Sequence, residues 1–136
     1  MPFSISEAAN LAIHALTYLA GQRSSGPVST AQVARHYGVS EAHLSKVFQR
    51  LTKAGFVKSI RGPKGGFVLA EDPSAITLKD IYESIDGPLS RRSLCLLGRR
   101  SCDLDRCIFG DLLESIHKQV TEKLSGTTLA ALIRKP

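Results

Sequence analysis

The sequence predicts a mainly α-helical chain with one small β hairpin, arranged as a winged helix-turn-helix followed by a C-terminal dimerisation helix. Three observations predict it. Two short helical segments, each opened by a serine, meet at Gly38 within residues 29–55. Two β-prone runs joined by the turn RGPKGG follow at once, over residues 56–70. Further on, Leu112, Leu113, Ile116, Val120 and Leu124 recur at intervals of three and four within residues 108–124, a helical period with one apolar face.

Each element has its own signal. Residues 5–20 read as the first helix, with Ser4 and Glu7 as a capping box and Ile5, Leu11, Ala12, Ala15, Leu16 and Leu19 as the apolar stripe. GQRSSGP is a loop by composition. Ser29 and Gln32 form a second capping-box pattern ahead of Val33, Ala34 and Tyr37. Gly38 breaks that helix and Ser40 caps the next, which turns Leu44, Val47, Phe48, Leu51 and Ala54 inward before Gly55 ends it. In the hairpin, Pro63 fixes one dihedral, and Gly65 and Gly66 are expected to supply positive φ. Thr77 caps a helix over 78–85, which Asp86, Gly87 and Pro88 stop. The cysteine-bearing segment that follows has no clean periodicity and reads as a loop, and TTLAALIRKP reads as a short helix and a frayed tail. The expected organisation is a winged unit over 1–89, a cysteine-bearing sensor loop over 90–109, and a dimerisation helix with its tail over 110–136.

Charge points to a partner. The formal net charge is +6, and its placement says more than its size. Arg35, Lys46, Arg50, Lys53, Lys58, Arg61 and Lys64 fall within residues 35–64, where Glu41 is the single acid. A solvated basic face, or a protein-interaction module without specific DNA binding, would share part of this pattern, but neither requires so few acids. On the second helix of the pair the outward residues are Ala42, Ser45, Lys46, Gln49 and Lys53. Small side chains permit entry into a major groove, and Gln can read adenine, so Ser45, Lys46 and Gln49 are expected at base edges of double-stranded DNA. Arg35, Ser40, His43, Lys53, Arg61 and Lys64 are expected on the sugar-phosphate backbone or, for the wing tip, in a minor groove. GPKGG fits neither dinucleotide nor P-loop phosphate motifs. No apolar run approaches the ~18 residues of a membrane span. The N-terminus lacks the basic start and cleavage site of a secretory signal, so a cytoplasmic protein with no membrane partner is expected.

All three cysteines sit in CLLGRRSCDLDRC, as Cys95, Cys102 and Cys107, with Arg92, Arg99, Arg100 and Arg106 beside or between them. Arginines favour thiolates, the form that binds metal or reacts. Without an export signal, structural disulfides are not expected. An iron–sulfur cluster, a zinc site, a cluster-free thiol switch and plain packing stay open at this point. No nucleophile–base motif accompanies these thiols, so an enzyme is not expected.

Several segments together carry a resemblance. LAIHALTYLA, HLSKVFQRLTKAGFVKSIRGPKGGFVLA, ITLKDIYESIDG and TTLAAL resemble, in order, the first helix, recognition helix and wing, following helix and closing segment of the Rrf-type family of winged-helix transcriptional regulators. The likeness runs over nearly the whole chain. It implies a winged-helix DNA-binding regulator; the amphipathic face of Leu112, Leu113, Ile116, Val120 and Leu124 either packs within the chain or, as favoured because paired half-sites let a small reader bind DNA tightly, forms the interface of a homodimer. It also implies, for members that carry one, an iron–sulfur cluster of two or four irons held by three cysteines in the loop where Cys95, Cys102 and Cys107 fall. The family's cysteine spacing is even, whereas the gaps here are six and four residues, which displaces the middle thiol by one. The fourth ligand also departs. Gly110 stands where some members carry histidine, and Asn10 where others use an aspartate from the first helix of the other subunit. Glu7, one turn before Asn10, is a substitute, and His14 and His117 are further donors. Other members work without a cluster, so a thiol-switch or zinc-containing regulator of the same fold stays open beside it.

Overall fold

The computed structural model describes residues 3–89 and 106–133. Helix α1 (Glu7–Gly21) is the centre of the molecule, with the helices Glu41–Lys53, Leu78–Asp86 and Leu129–Ile133 and the strand Gly66–Leu69 all packed on it. Its small residues explain why so many elements can approach: Ala9, Ala12 and Ala15 are fully buried. The cap is Ser6, which accepts from the Ala9 amide at 3.0 Å, and not Ser4 as the capping-box pattern predicted. The reason is tertiary. The Asp86 carboxylate accepts from both the Ser6 amide and the Ser6 hydroxyl, which fixes the helix start at that serine.

Helices α2 (Thr30–Tyr37) and α3 (Glu41–Lys53) form the helix-turn-helix. Ser29 caps α2 as expected, accepting from the Gln32 amide. The Gln32 side chain instead leaves the box and donates to the Tyr18 hydroxyl of α1 at 3.1 Å. Gly38 takes the left-handed conformation at φ 67°, and Ser40 caps α3. Leu44, Val47, Phe48 and Leu51 form the buried face of α3. Ala54, expected inward, is the exposed C-cap of that helix, because the chain is already turning toward the hairpin there.

Strands β1 (Val57–Ile60) and β2 (Gly66–Leu69) pair antiparallel, with Val57 opposite Leu69 and Ile60 opposite Gly66. Val28 adds a bridge on the far side of β2, exchanging both backbone bonds with Phe67 at 2.8 and 3.0 Å. The turn uses its glycines differently from the expectation. Gly62 and Gly66 take positive φ, whereas Gly65 is needed for space: a Cβ there would lie 2.0 Å from the Ile60 carbonyl oxygen.

A 3-10 turn (Pro73–Ala75) leads to α4 (Leu78–Asp86), opened by a complete capping box between Thr77 and Asp80. Helix α5 (Leu112–Gly126) begins four residues later than the periodicity predicted; residues 108–111 form turns, with Gly110 at φ 61°. The short α6 (Leu129–Ile133) is tied back to α4's entry, since the Leu78 amide donates to the Thr127 carbonyl and the Leu129 amide to the Ile76 carbonyl. The frayed tail expected over 134–136 lies outside the described residues.

Candidate nucleic-acid interface

The sequence builds one face from α3 and the hairpin. Burial of Leu44, Val47, Phe48 and Leu51 leaves the opposite side of α3 to solvent, where Lys46, Gln49 and Lys53 are exposed and Ser45 is half-buried. Ser40 and Arg35 are exposed beside it, and His43 is half-buried on the first turn of α3. Arg61 and Lys64 are exposed in the hairpin turn. The hairpin is fixed to α3 by a near-parallel stack of Phe48 on Phe67, with centroids 4.4 Å apart and planes within 6°. Every residue expected to meet DNA is thus on α2, α3, their turn or the hairpin tip.

The structure also shows contacts that no local pattern signalled. The Arg50 guanidinium, counted with the basic run, donates to the Ile85 carbonyl at the end of α4 at 2.7 Å. His43 faces Glu7 of α1, with Nδ1 and Oε1 3.8 Å apart. Tyr37 of α2 donates to the His14 carbonyl at 3.0 Å, and the Tyr82 hydroxyl of α4 donates to the Ser4 carbonyl at 2.8 Å. Both phenols are pushed above their ordinary range, Tyr37 by burial and then by neighbouring Tyr18, Tyr82 by burial and then by Asp86 and Glu83.

Of the expected metal donors, Cys107 is an exposed free thiol, while Cys95 and Cys102 lie outside the described residues, as do Arg92, Arg99 and Arg100. Arg106 is exposed beside Cys107. Glu7, Asn10 and His14 are exposed on α1, and His117 is buried on α5. The three residues after Cys107, namely Ile108, Phe109 and Gly110, carry no ligand atom. Among the described residues no three ligating side chains gather in one place. The apolar residues of α5 divide: Leu113 and Leu124 are buried and Val120 half-buried within the chain, while Leu112 and Ile116 are 51% and 36% exposed. Ile108 and Phe109 extend that exposed group toward Cys107. Among the described residues, no helix is long and apolar enough to cross a membrane.

A capped helix pair, an acid-poor outer helix face and a glycine-rich hairpin stacked on that helix define a winged-helix DNA-binding protein. Comparison with known proteins makes the class specific. The model of the Rrf2 family, described as iron-dependent transcriptional regulators, matches residues 5–135, and the chain belongs to that family. The HTH-type transcriptional regulator IscR of Yersinia enterocolitica is 32% identical over 123 residues, which cover 90% of this chain and 74% of that relative. The structure of CymR, the global cysteine regulator of B. subtilis, matches with a TM-score of 0.80 at 32% identity and covers 96% of both chains. T. potens IscR matches with a TM-score of 0.75 at 30% identity, over 96% of this chain and 86% of that one. These relatives are transcriptional regulators, in agreement with the expectation that the chain is not an enzyme.

Proposed function

We propose that the chain is a sequence-specific DNA-binding regulator that works as a homodimer in the cytoplasm and senses its signal through Cys95, Cys102 and Cys107. One observation carries the DNA-reading part: Lys46, Gln49 and Lys53 line the exposed side of α3 beside the basic hairpin tip of Arg61 and Lys64. Residues 1–89 form the reader in this proposal. Ser45, Lys46 and Gln49 meet base edges, and Arg35, Ser40, His43, Lys53, Arg61 and Lys64 hold the backbone or a minor groove. Residues 90–109 form the sensor and 110–136 join two copies. Because Leu124 and Val120 pack into the core and Leu113 is buried, the partner-facing surface narrows to Leu112 and Ile116, continued by Ile108 and Phe109.

For the sensor, the donor set favours an iron–sulfur cluster held by the three cysteines, with a fourth ligand from Glu7 or Asn10. Such a cluster would supply a redox-active group that oxygen, nitric oxide or iron shortage can alter. The arginines of the segment hold the thiols toward thiolate and offset negative charge. A cluster-free thiol switch or a zinc site is the second reading; the likeness to the global cysteine regulator and the uneven cysteine spacing favour it.

Anaerobic purification with iron, sulfide and zinc analysis, run beside selection of binding duplexes from a random pool, tests both parts. Iron and acid-labile sulfide in similar amounts support the cluster. A colourless protein after cluster assembly refutes it, and zinc content then separates the second reading's two forms. Failure to enrich any sequence from the pool refutes specific DNA binding.

A further inference from the structure

We infer that Arg50 is a positioning residue that holds the recognition helix from behind, and that it does not bind DNA. The inference rests on the DNA-reading role of α3. Arg50 lies within the basic run of residues 35–64, and by sequence it counts with Lys46 and Lys53. Arg50 is exposed, but its guanidinium reaches α4 and donates to the Ile85 carbonyl at 2.7 Å. That carbonyl is in the last turn of α4, where helix carbonyls lack intrahelical partners and the helix dipole favours a cation. Helix α4 has no basic residue of its own in that turn, so α3 supplies one from across the packing interface.

The contact is one link in a closed ring. The next residue, Asp86, accepts from the amide and hydroxyl of Ser6, the cap of α1. Glu7 follows Ser6 and faces His43 on the first turn of α3. The recognition helix is therefore contacted near both ends, by Glu7 3.8 Å from His43 and by the Ile85 carbonyl at Arg50. The two join at the Asp86–Ser6 contact. Beyond α4 the chain is turned back by the Leu89 amide donating to the Glu83 carboxylate at 2.8 Å, and residue 90 begins the cysteine-bearing segment. The position of α3 is thus tied to the last turn of α4. Moving the end of α4 would shift the reading helix as a body, with Arg50 as the tie.

A phosphate ligand and a positioning residue differ in two readouts. Neutralising a phosphate ligand lowers the slope of log K against log salt by about 0.9 and weakens all sequences alike. Loss of a positioning residue leaves the slope unchanged and weakens the preferred sequence selectively. The experiment measures anisotropy of a duplex selected by the wild-type protein and of a scrambled duplex, across a salt series, with the active fraction titrated for each variant. The variants are Arg50→Gln, Arg50→Lys, Asp86→Asn and, as the phosphate control, Lys53→Gln. The expected result is a roughly tenfold loss for Arg50→Gln on the selected duplex only, with an unchanged slope, partial rescue in Arg50→Lys and a smaller loss of the same kind in Asp86→Asn. A slope reduced as in Lys53→Gln would overturn the inference, as would unchanged selectivity in both Arg50→Gln and Asp86→Asn. Should Arg50→Gln fail to fold, the Asp86→Asn and Arg50→Lys data decide in the same way. If the wild-type protein selects no duplex, the DNA-reading role itself has failed, an outcome distinct from failure of the Arg50 assignment.

Discussion

The stack of Phe48 on Phe67 is the joint between the recognition helix and the hairpin, and replacing Phe48 by Ala should damage stability and DNA reading together. Phe48 is fully buried and heads the large buried side chains of the core. Truncation of such a residue to Ala costs about 3–5 kcal/mol, the lost transfer energy plus the cavity. Domains of this kind have about 5–15 kcal/mol in total, so the variant keeps only part of its margin. At about 3–5 °C per kcal/mol for a chain of this length, the melting midpoint should fall by about 10–20 °C. Part of the loss is specific to the ring pair. Its near-parallel planes and 4.4 Å centroid separation are those of a stacked pair, worth about 0.5–1.5 kcal/mol beyond buried area. A double-mutant cycle of Phe48→Leu and Phe67→Leu isolates that share, because leucine keeps an apolar filler and removes the ring. Urea unfolding followed by circular dichroism at 222 nm gives the four free energies. Coupling below about 0.3 kcal/mol would refute the stacking argument, and a cost under about 1 kcal/mol for Phe48→Ala would refute the burial argument as well.

Two further predictions follow from the turn and from a surface carboxylate. Gly65→Ala should open the hairpin turn, since its Cβ would meet the Ile60 carbonyl oxygen at 2.0 Å. A cost of about 1–3 kcal/mol in urea unfolding is expected, whereas Gly21→Ala, with open space around it, should be neutral or stabilising by up to about 1 kcal/mol. Equal effects of the two would sink the clash argument. Asp72 is held below the ordinary carboxylate range, first by hydrogen bonds from the Ser74 hydroxyl and amide and further by Arg23. A depressed folded pKa contributes stability that is present above the unfolded pKa of about 3.9 and lost as pH falls through the folded value. The stability difference between wild type and Asp72→Asn should therefore shrink on acidification from about pH 6 to about pH 2, and a difference that grows instead would contradict it.

How much of this was legible in the sequence depends on the range of the interaction that fixes each feature. Ser29, Ser40 and Thr77 each cap the helix that the local pattern assigned to them, because a cap is settled within four residues. The capping-box pattern favoured Ser4 with Glu7, and the cap moved to Ser6 because Asp86, 80 residues away, bonds it. The hairpin was legible from RGPKGG, but the division of labour among Gly62, Gly65 and Gly66 was not, since it depends on where the Ile60 and Val28 carbonyls end up. Lys53 and Arg50 look alike as basic residues of one helix; only the arrival of α4's last turn separates them. The period of α5 matched a helix, yet Leu112 and Leu113 are neighbours with opposite fates, exposed and buried, which the period alone does not separate. The three cysteines are grouped in the sequence, but Cys95 and Cys102 lie outside the described residues, and the proposed ligand on α1 rests on the family resemblance.

These long-range ties give α4 a role its nine residues would not announce. At its first turn the chain is bonded to the residues between α5 and α6, through Leu78 to Thr127 and Ile76 to Leu129. At its last turn it is bonded to α3 through Ile85 and to the cap of α1 through Asp86. Between these ends Ile81, Tyr82 and Ile85 are buried against the core, so the helix can neither bend nor slide without exposing them. At 1.5 Å per residue it spans about 14 Å. A helix this short, tied at both ends and buried along one face, moves as a rigid spar. In the proposed dimer, a change at α5 and a change just after residue 89 both have a path to α3 through α4, which packs on α5 and is bonded to Arg50. Under the proposed function, α3 would then respond to both inputs, as a dimer with one sensor and two paired readers requires.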